Sequence, residues 1–447
     1  MKGDFTRDSF DKDNHFSQVL MQQGRVQLDA DWNEQSAIML HHFRSFVTDL
    51  VGPAWAVGDG FTVAIKAGAG GAKNDLSIAA GRFYVDGIAC DNRAPLLFSQ
   101  QGDPLPDEGK WNPKLFYLVY LDAWEQLVTV VEDDAIREPA LGGPDTAVRA
   151  QVAWQVRMLP FEAPAAANCG DGRERLAKAL ARGTTPLLSA WAKKDAPDGP
   201  CAVNPDSAYR GPENQLYRVE IHDPGNVAAG DKPSFKWSRE NGSVIFALDG
   251  AVPAMANGSI TVTLAHRGRD DRLDLAVGDW VELVDDVKAR RNGHDPLLKV
   301  SAIDPHTLEV TLAGIGSAPT PQPRYVFLRR WDQKSNVNDH GVVLVAEAGP
   351  AAAQPLALEE GVTIEFQPGG DYRTGDYWLI PARVASGDVE WPAPATANGP
   401  VPALPPRGVE HHYALLGVLS TPALTSQKWN FLNCRCALPA GFPACPL

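Results

Sequence analysis

The sequence of 447 residues has no run of about 18 apolar residues, the length that a helix needs to cross a membrane. Its 55 acidic and 41 basic residues give a net charge of −14, so it lacks the basic surface that nucleic-acid binding requires. Residues 1–16 are polar and charged, without the apolar block of a signal peptide. These absences predict a protein that is cytoplasmic at assembly, with no membrane-spanning segment and no nucleic-acid partner.

Catalytic sequence motifs are absent as well. The chain contains no phosphate-binding loop, no paired-glycine dinucleotide motif, no Gly-x-Ser-x-Gly turn and no His-Glu-x-x-His helix. Its ten histidines are scattered and suggest no catalytic triad. We therefore expect a protein that is not an enzyme and that carries no cofactor.

Six cysteines are too few for a disulfide framework in a chain of this length. Cys90 lies in a strand-like run, which predicts a buried thiol. Cys169 and Cys201 flank a segment rich in loop residues and are candidates for a disulfide pair.

Three further cysteines, Cys434, Cys436 and Cys445, crowd the C-terminal region. A Cys-x-Cys pair with a third cysteine can bind zinc together with a histidine such as His411 or His412. The same residues can instead be free, or form one disulfide and leave one thiol over. The sequence leaves these interpretations open.

An amphipathic helix is predicted near the start of the chain, ending at Gly52-Pro53, because proline cannot continue a helix. Asp31 is the expected N-cap, with Glu34 three residues later as its capping-box partner. The apolar residues recur at spacings of three and four on one stripe, namely Leu40, Phe43, Phe46, Val47, Leu50 and Val51. The stripe packs either on the sheets of its own chain or between subunits.

After Pro53 the apolar pattern changes to the alternation of β-strands, with frequent turn residues. We expect a mainly β fold of antiparallel sandwiches or barrels, one N-terminal amphipathic helix and a small inserted barrel. The predicted units are an arm with the helix (1–53), a first β domain (54–162), a connecting segment with a short helix (163–212), a second β domain (213–384) with a five-stranded barrel at about 270–332, and a Pro-rich linker with a last strand and a cysteine-containing tail (385–447).

Several phrases, spread over nearly the whole chain, carry a resemblance to a known family. They are MKGDFTRDSF (residues 1–10), VLMQQGRVQLDADWNEQ (19–35), LGGPDT (141–146), ENQLYRVEIH (213–222), FKWSRENGSV (235–244) and YRTGDYWLIPAR (372–383). The chain resembles an uncharacterised domain family found in gene clusters of phage-tail-like contractile injection systems. Members of that family also occur N-terminal to parallel β-helix proteins.

The resemblance implies a structural component of a contractile particle, near its baseplate or spike, whose partners are other subunits and copies of itself. The alternatives are a carbohydrate- or receptor-binding module of the particle, using aromatics such as Trp378 or Trp391, and an injected effector. For assembly we expect the arm and helix to supply the interface, through Phe5, Phe10, Phe16, Val19, Leu20, Met21, Trp32, Leu40, Phe43 and Phe46.

Overall fold

A computed structural model of the chain describes residues 1–68, 74–101, 111–162, 168–192, 208–253, 257–284, 295–314, 327–348, 355–396, 399–421 and 428–438. It contains two α-helices, α1 (Asp29–Val51) and α2 (Cys169–Leu180), with short 3-10 turns at Lys12–Asn14, Phe98–Gln101, Asp134–Ile136, Pro139–Leu141 and Val227–Ala229. Most of the other regular structure consists of antiparallel strands. The expected fold class, mainly β with an N-terminal helix and a small barrel, is confirmed. Neither described helix is long and apolar enough to cross a membrane.

The first β domain consists of three sheets. Their strands are β1 (Ala54–Val57), β4 (Gly81–Val85), β5 (Ile88–Asn92) and β25 (Ala437–Leu438); β2 (Val63–Lys66), β3 (Asp75–Ile78) and β6 (Leu96–Leu97); and β7 (Leu115–Val128), β8 (Arg149–Glu162), β23 (His412–Ser420) and β24 (Asn430–Asn433). The strands from the end of the chain therefore complete this domain, whereas the sequence assigned them to a separate tail.

Strand β7 contributes side chains to both faces of its sheet, one facing the core between the sheets and the other facing helix α2. Its 14 residues are rich in aromatic and β-branched side chains, and alternate residues point to opposite faces. Tyr117 and Val119 enter the core between the sheets, while Leu118 and Tyr120 face the other way. There they pack against Leu176 of α2, so this helix covers the outer face of the sheet.

The second β domain packs two sheets around a core of aromatic and aliphatic residues. Their strands are β10 (Gln215–Ile221), β11 (Ser234–Ser238), β18 (Val343–Leu344), β21 (Tyr377–Arg383) and β22 (Asp388–Val389); and β9 (Leu188–Ala192), β19 (Leu356–Ala357) and β20 (Val362–Phe366). Alternation along β10 directs Tyr217, Val219 and Ile221 into this core. Arg218 and Glu220 therefore lie on the opposite face of the sheet.

A closed barrel is inserted in the second domain. Its six strands, in order around the barrel, are β12 (Ile245–Asp249), β13 (Ser259–Leu264), β16 (Glu309–Ala313), β15 (Leu298–Ile303), β14 (Trp280–Val284) and β17 (Phe327–Trp331). The prediction of a five-stranded barrel at about 270–332 was wrong in its strand number and at its start, because the barrel has six strands and the first two, β12 and β13, precede residue 270. Strand β12 closes the barrel by pairing with β17, and such a long-range pairing leaves no local signal in the sequence.

Candidate assembly surface

Helix α1 begins earlier than predicted and without the expected cap. Its N-cap is Leu28, which offers no side-chain hydrogen bond, so the predicted capping box of Asp31 and Glu34 is wrong. The arm bonds the start of the helix instead. Asp29 accepts hydrogen bonds from the backbone N–H of Thr6, at 2.9 Å, and from its hydroxyl. Partial burial opposes ionisation of Asp29, but the bonds from Thr6 outweigh it and hold the pKa of this carboxyl below its usual value.

An ordinary surface helix buries its apolar face and exposes its polar face, but α1 does the reverse. Within the helix only Ala30 and Ile38 are buried. Most of the predicted apolar stripe faces away from the chain, with exposed fractions of 58% at Phe43 and 61% at Phe46, and Trp32 is 77% exposed beside it, whereas Val47 and Val51 of the stripe are half-buried. Met39, Leu40 and Leu50 are exposed on the same side, whereas the polar His41, Arg44 and Ser45 are half-buried against the chain. The structure therefore leaves the apolar face of α1 uncovered.

Two contacts seat the polar face of α1 on the first β domain. The guanidinium of Arg44 forms an ion pair with Glu125 of β7, at 2.8 Å. Gly87, in the turn between β4 and β5, lies directly beneath the helix, with a φ of +77°. A Cβ at this position would lie 2.5 Å from the carbonyl oxygen of Arg44, so the approach of the two backbones requires glycine. These contacts fix which face of the helix points outward.

Residues 11–28, which we call the arm loop, extend the apolar surface. Phe16, Leu20, Met21, Val26 and Leu28 are all exposed there. The middle of the loop is held to the helix by a hydrogen bond in which the backbone N–H of Val19 donates to Oε1 of Gln35, at 2.7 Å. Among the described residues, 20 large apolar side chains are exposed, and 11 of them belong to residues 16–50. Such a concentration of apolar surface marks an interaction site.

Residues 1–10, which we call the clip, lie against the second domain of the same chain. Lys2 forms an ion pair with Glu220 at 2.9 Å, and Asn241 donates a hydrogen bond to the carbonyl of Gly3 at 2.9 Å. Arg383 donates to the carbonyl of Thr6 at 3.0 Å. Burial lowers the pKa of Lys2 to about 8, although the carboxylate of Glu220 opposes this shift. The N-terminal segment thus spans both domains, with its clip on the second and its helix on the first.

The predicted interface residues divide between these two environments. Phe5, Phe10 and Val19 are half-buried against the chain itself. The exposed members of the set are Phe16, Leu20, Met21, Trp32, Leu40, Phe43 and Phe46. Sequence reasoning missed Val26, Leu28 and Met39, although the spacing of Met39 from Phe43 and Phe46 places all three on one helical face. Leu50 was predicted on the apolar stripe but not in the interface set, and it is exposed on the same face.

The exposed helix face has the spacing of a helix-pairing seam. Steps of four and three residues connect Trp32, Ser36, Met39, Phe43, Phe46 and Leu50. The helix of 23 residues is about 35 Å long, so the seam offers several successive layers to another helix. The acidic and basic residues at exposed positions of α1 are Asp29, His42 and Asp49, and none of them belongs to this seam, so two such faces would not repel each other strongly.

The cysteines near the C-terminus do not form the predicted groups. Cys169 forms a disulfide with Cys434, which joins the start of α2 to the loop after β24 and rules out Cys434 as a zinc ligand. Cys90 is a buried free thiol and Cys436 an exposed one. Because Cys169 pairs with Cys434, the candidate pair of Cys169 with Cys201 is wrong. Cys201 and Cys445 lie outside the described residues.

The two histidines proposed as zinc ligands have carboxylate partners instead. His411 contacts Asp122 through Nδ1 at 2.6 Å, and His412 contacts Asp86 through Nδ1 at 2.8 Å. Within the part of the chain that the structure describes, no group of three or more His, Cys, Asp or Glu residues could hold a metal ion.

The aromatic residues considered for sugar stacking are engaged within the fold. Trp378 is only 2% exposed, and its indole N–H donates to the carbonyl of Leu404 at 2.9 Å. Trp391 is half-buried and donates to the carbonyl of Pro402 at 2.8 Å. Trp378 is therefore too buried to stack on a sugar, whereas Trp391 stays partly exposed.

The chain belongs to a protein family of unknown function, DUF6519, whose model matches residues 1–178 and 165–439. Comparison with curated proteins and comparison with solved structures give no match.

Proposed function

We propose that this protein is a structural component of a phage-tail-like contractile injection particle, near the baseplate or spike, and that it assembles through helix α1 and the arm loop. The supporting observation is the inverted burial of α1, which directs Trp32, Phe43 and Phe46 into solvent while its polar side contacts the first domain. Exposed aromatics on a rigid helix are typical of protein interfaces.

The occupant of this face is a second copy of the chain. A seam with alternating steps of three and four residues is complemented by another seam of the same kind, as in coiled coils and helical bundles. The face is nearly uncharged, so it avoids the repulsion that a net charge of −14 would otherwise impose between copies. Closed symmetry then lets every copy use the same face.

Assignment to a contractile particle rests on the resemblance of the six sequence phrases, which are distributed from the clip to strand β21. The assembly surface is consistent with that assignment, because a particle subunit needs a rigid body and a large apolar contact. This structural function requires no catalytic residue.

The test uses two variants of the full chain, expressed in cells that make the particle. In one variant Phe43 and Phe46 are both replaced by glutamate, which places two charges in the seam. In the matched control Val277, a similarly exposed apolar residue before β14, is replaced by glutamate. Both variants should fold, because the changed side chains are exposed.

Quantitative mass spectrometry and imaging of purified particles measure incorporation. The control should be incorporated like the wild type, whereas the double variant should be absent and leave a missing density at one end. Incorporation of the double variant at full occupancy would refute the assembly surface. Absence of the wild-type chain from purified particles would refute the assignment to the particle.

A further inference from the structure

A cleft of about 2040 Å³ lies between the first domain, the N-terminal segment and the second domain with its barrel. One of its walls carries charged side chains that are almost fully buried. Arg218 and Glu220 of β10 and Lys236 of β11 lie on the face of their sheet that points away from the aromatic core, because the residues alternating with them enter that core. Lys2 of the clip, Glu282 of β14 and Arg329 of β17 complete the wall.

The two carboxylates of this wall are already saturated with partners. Glu220 pairs with Arg218 at 2.6 Å, with Lys2 at 2.9 Å and with Lys236 at 3.6 Å. Glu282 pairs with Lys236 at 2.9 Å and accepts the indole N–H of Trp331 at 3.1 Å. Burial opposes ionisation of Glu282, but the neighbouring lysines outweigh it and lower its pKa to about 2.

The basic side chains of Lys2, Arg218, Lys236 and Arg329 therefore face the ionised carboxylates of Glu220 and Glu282. Glu132, which also lines the cleft and acts on Arg329, is the third carboxylate near this wall, so the basic groups outnumber the acidic ones by one. Buried charges in proteins are normally compensated by a partner or by a bound ion. The excess predicts an anion as the missing partner.

Arg329 is the cation without a carboxylate partner. It is 8% exposed, and its Nε donates to the carbonyl of Gly242 at 2.9 Å. Among the described acidic side chains, none forms an ion pair with its guanidinium, although Glu282 lies opposite it in the β14–β17 ladder and acts on it at longer range. A guanidinium has five N–H donors, so four remain for a ligand in the cleft. Burial lowers the pKa of Arg329, although the carboxylates of Glu282, Glu220 and Glu132 oppose this shift.

Gly242 brings the second cation beside Arg329. A Cβ at Gly242 would lie 3.4 Å from Cγ of Lys2 and 3.7 Å from Cδ of Arg329, so the two side chains cross the same small patch of backbone. The clip thus brings the side chain of Lys2 beside that of Arg329, while the Lys2 ammonium group pairs with Glu220. The site is complete only when the clip is docked on the second domain.

We infer that this corner of the cleft binds an oxyanion, a phosphate or carboxylate group held by the guanidinium of Arg329 with the ammonium of Lys2 beside it. The planar guanidinium suits two parallel hydrogen bonds to either group. The cleft is far larger than one such group, so the oxyanion can be part of a larger molecule. This binding site is independent of the proposed assembly function, and each can fail without the other.

The experiment titrates the purified full chain at pH 7 with inorganic phosphate and, separately, with acetate, at an ionic strength held constant with sodium chloride. Isothermal calorimetry measures the dissociation constant of each anion. The site variant is Arg329→Gln. The matched control is Arg267→Gln, because Arg267 lines the same cleft but is already paired with Asp274.

We expect saturable binding of at least one anion by the wild type and by the control, and binding weaker by about 10-fold or more in Arg329→Gln. The tighter of the two anions identifies the ligand as a phosphate or as a carboxylate. Absence of saturable binding for both anions, or equal affinity in Arg329→Gln and the wild type, would overturn the inference.

A second measurement keeps the inference testable should Arg329→Gln fail to fold. The preferred anion should raise the melting temperature of the wild type more than chloride does at the same ionic strength, since a ligand that binds only the folded state stabilises it. The variant Lys2→Met should show a smaller rise. Equal melting temperatures in the anion and in chloride would contradict the site.

Discussion

The substitution Phe43→Glu tests the seam of α1 at its centre. Phe43 is 58% exposed in the single chain. A phenylalanine side chain presents roughly 200 Å², so about 115 Å² of Phe43 remains for a partner to cover. At about 25 cal/mol per Å², covering this area contributes about 3 kcal/mol for each copy.

In a symmetric pair the substitution acts twice. The loss of about 6 kcal/mol corresponds to a dissociation constant raised by about four orders of magnitude. The added carboxylates increase the effect, because they must lose water and lie close to each other across the seam. The stability of the single chain should change little, since the side chain has few neighbours to lose.

Sedimentation velocity over a dilution series measures the association, and thermal unfolding of the dissociated chain measures its stability. The control Val277→Glu places the same charge on a similarly exposed apolar position outside α1 and should associate like the wild type. An unchanged dissociation constant for Phe43→Glu would refute the reasoning. So would equal weakening by the control, because the effect would then come from net charge alone.

Three further predictions concern the fold. Replacing Cys169 by serine removes the disulfide to Cys434 and should lower the free energy of unfolding by about 2–4 kcal/mol, measured by denaturant titration without reducing agent. Gly87→Ala should loosen α1 and speed proteolysis of the N-terminal segment, because its Cβ meets helix backbone at 2.5 Å; Gly142→Ala, also at positive φ but in open space, should not. The low pKa of Glu282 implies that the unfolded chain binds the extra proton, so stability should fall as pH drops from about 4.5 to about 2. Glu282→Gln should flatten that part of the pH profile, measured by thermal unfolding.

Helix α1 shows what a periodic pattern can and cannot predict. The spacing of Leu40, Phe43, Phe46 and Leu50 identified a helix and its apolar face, and Gly52-Pro53 marked its end. The pattern alone does not say what covers that face, because burial by the chain and burial by a partner select the same residues. The close contact of Gly87 with the backbone of Arg44, which orients the helix, depends on tertiary structure.

Long-range pairings were the features that local sequence patterns missed. The disulfide joins cysteines 265 residues apart. Strand β12 closes the barrel by pairing with β17, which lies at the other end of the barrel sequence. The clip was misjudged for a related reason. Phe5 and Phe10 were expected to contact other subunits, but the clip lies against its own chain, where Lys2 pairs with Glu220, and a single sequence gives no signal for that pair.

The sequence segments that carry the family resemblance include residues of the core and of the buried charged cluster. In residues 235–244, Phe235 and Trp237 enter the core, Lys236 joins the buried charges, and Gly242 lies beneath Lys2 and Arg329. The alternation of apolar and charged residues along β10 and β11 was visible in the sequence. That the charged face lines a cleft, and is not solvated, became evident only from the packing of the clip and the barrel.

The central claim is that the exposed face of α1 joins copies of this chain. Sedimentation equilibrium of the purified wild-type chain tests it most directly, because it gives the molar mass without reference to shape. The account predicts a mass that is an integer multiple, at least twofold, of the 48.2 kDa of one chain. A mass of one chain at every concentration up to the solubility limit would contradict it.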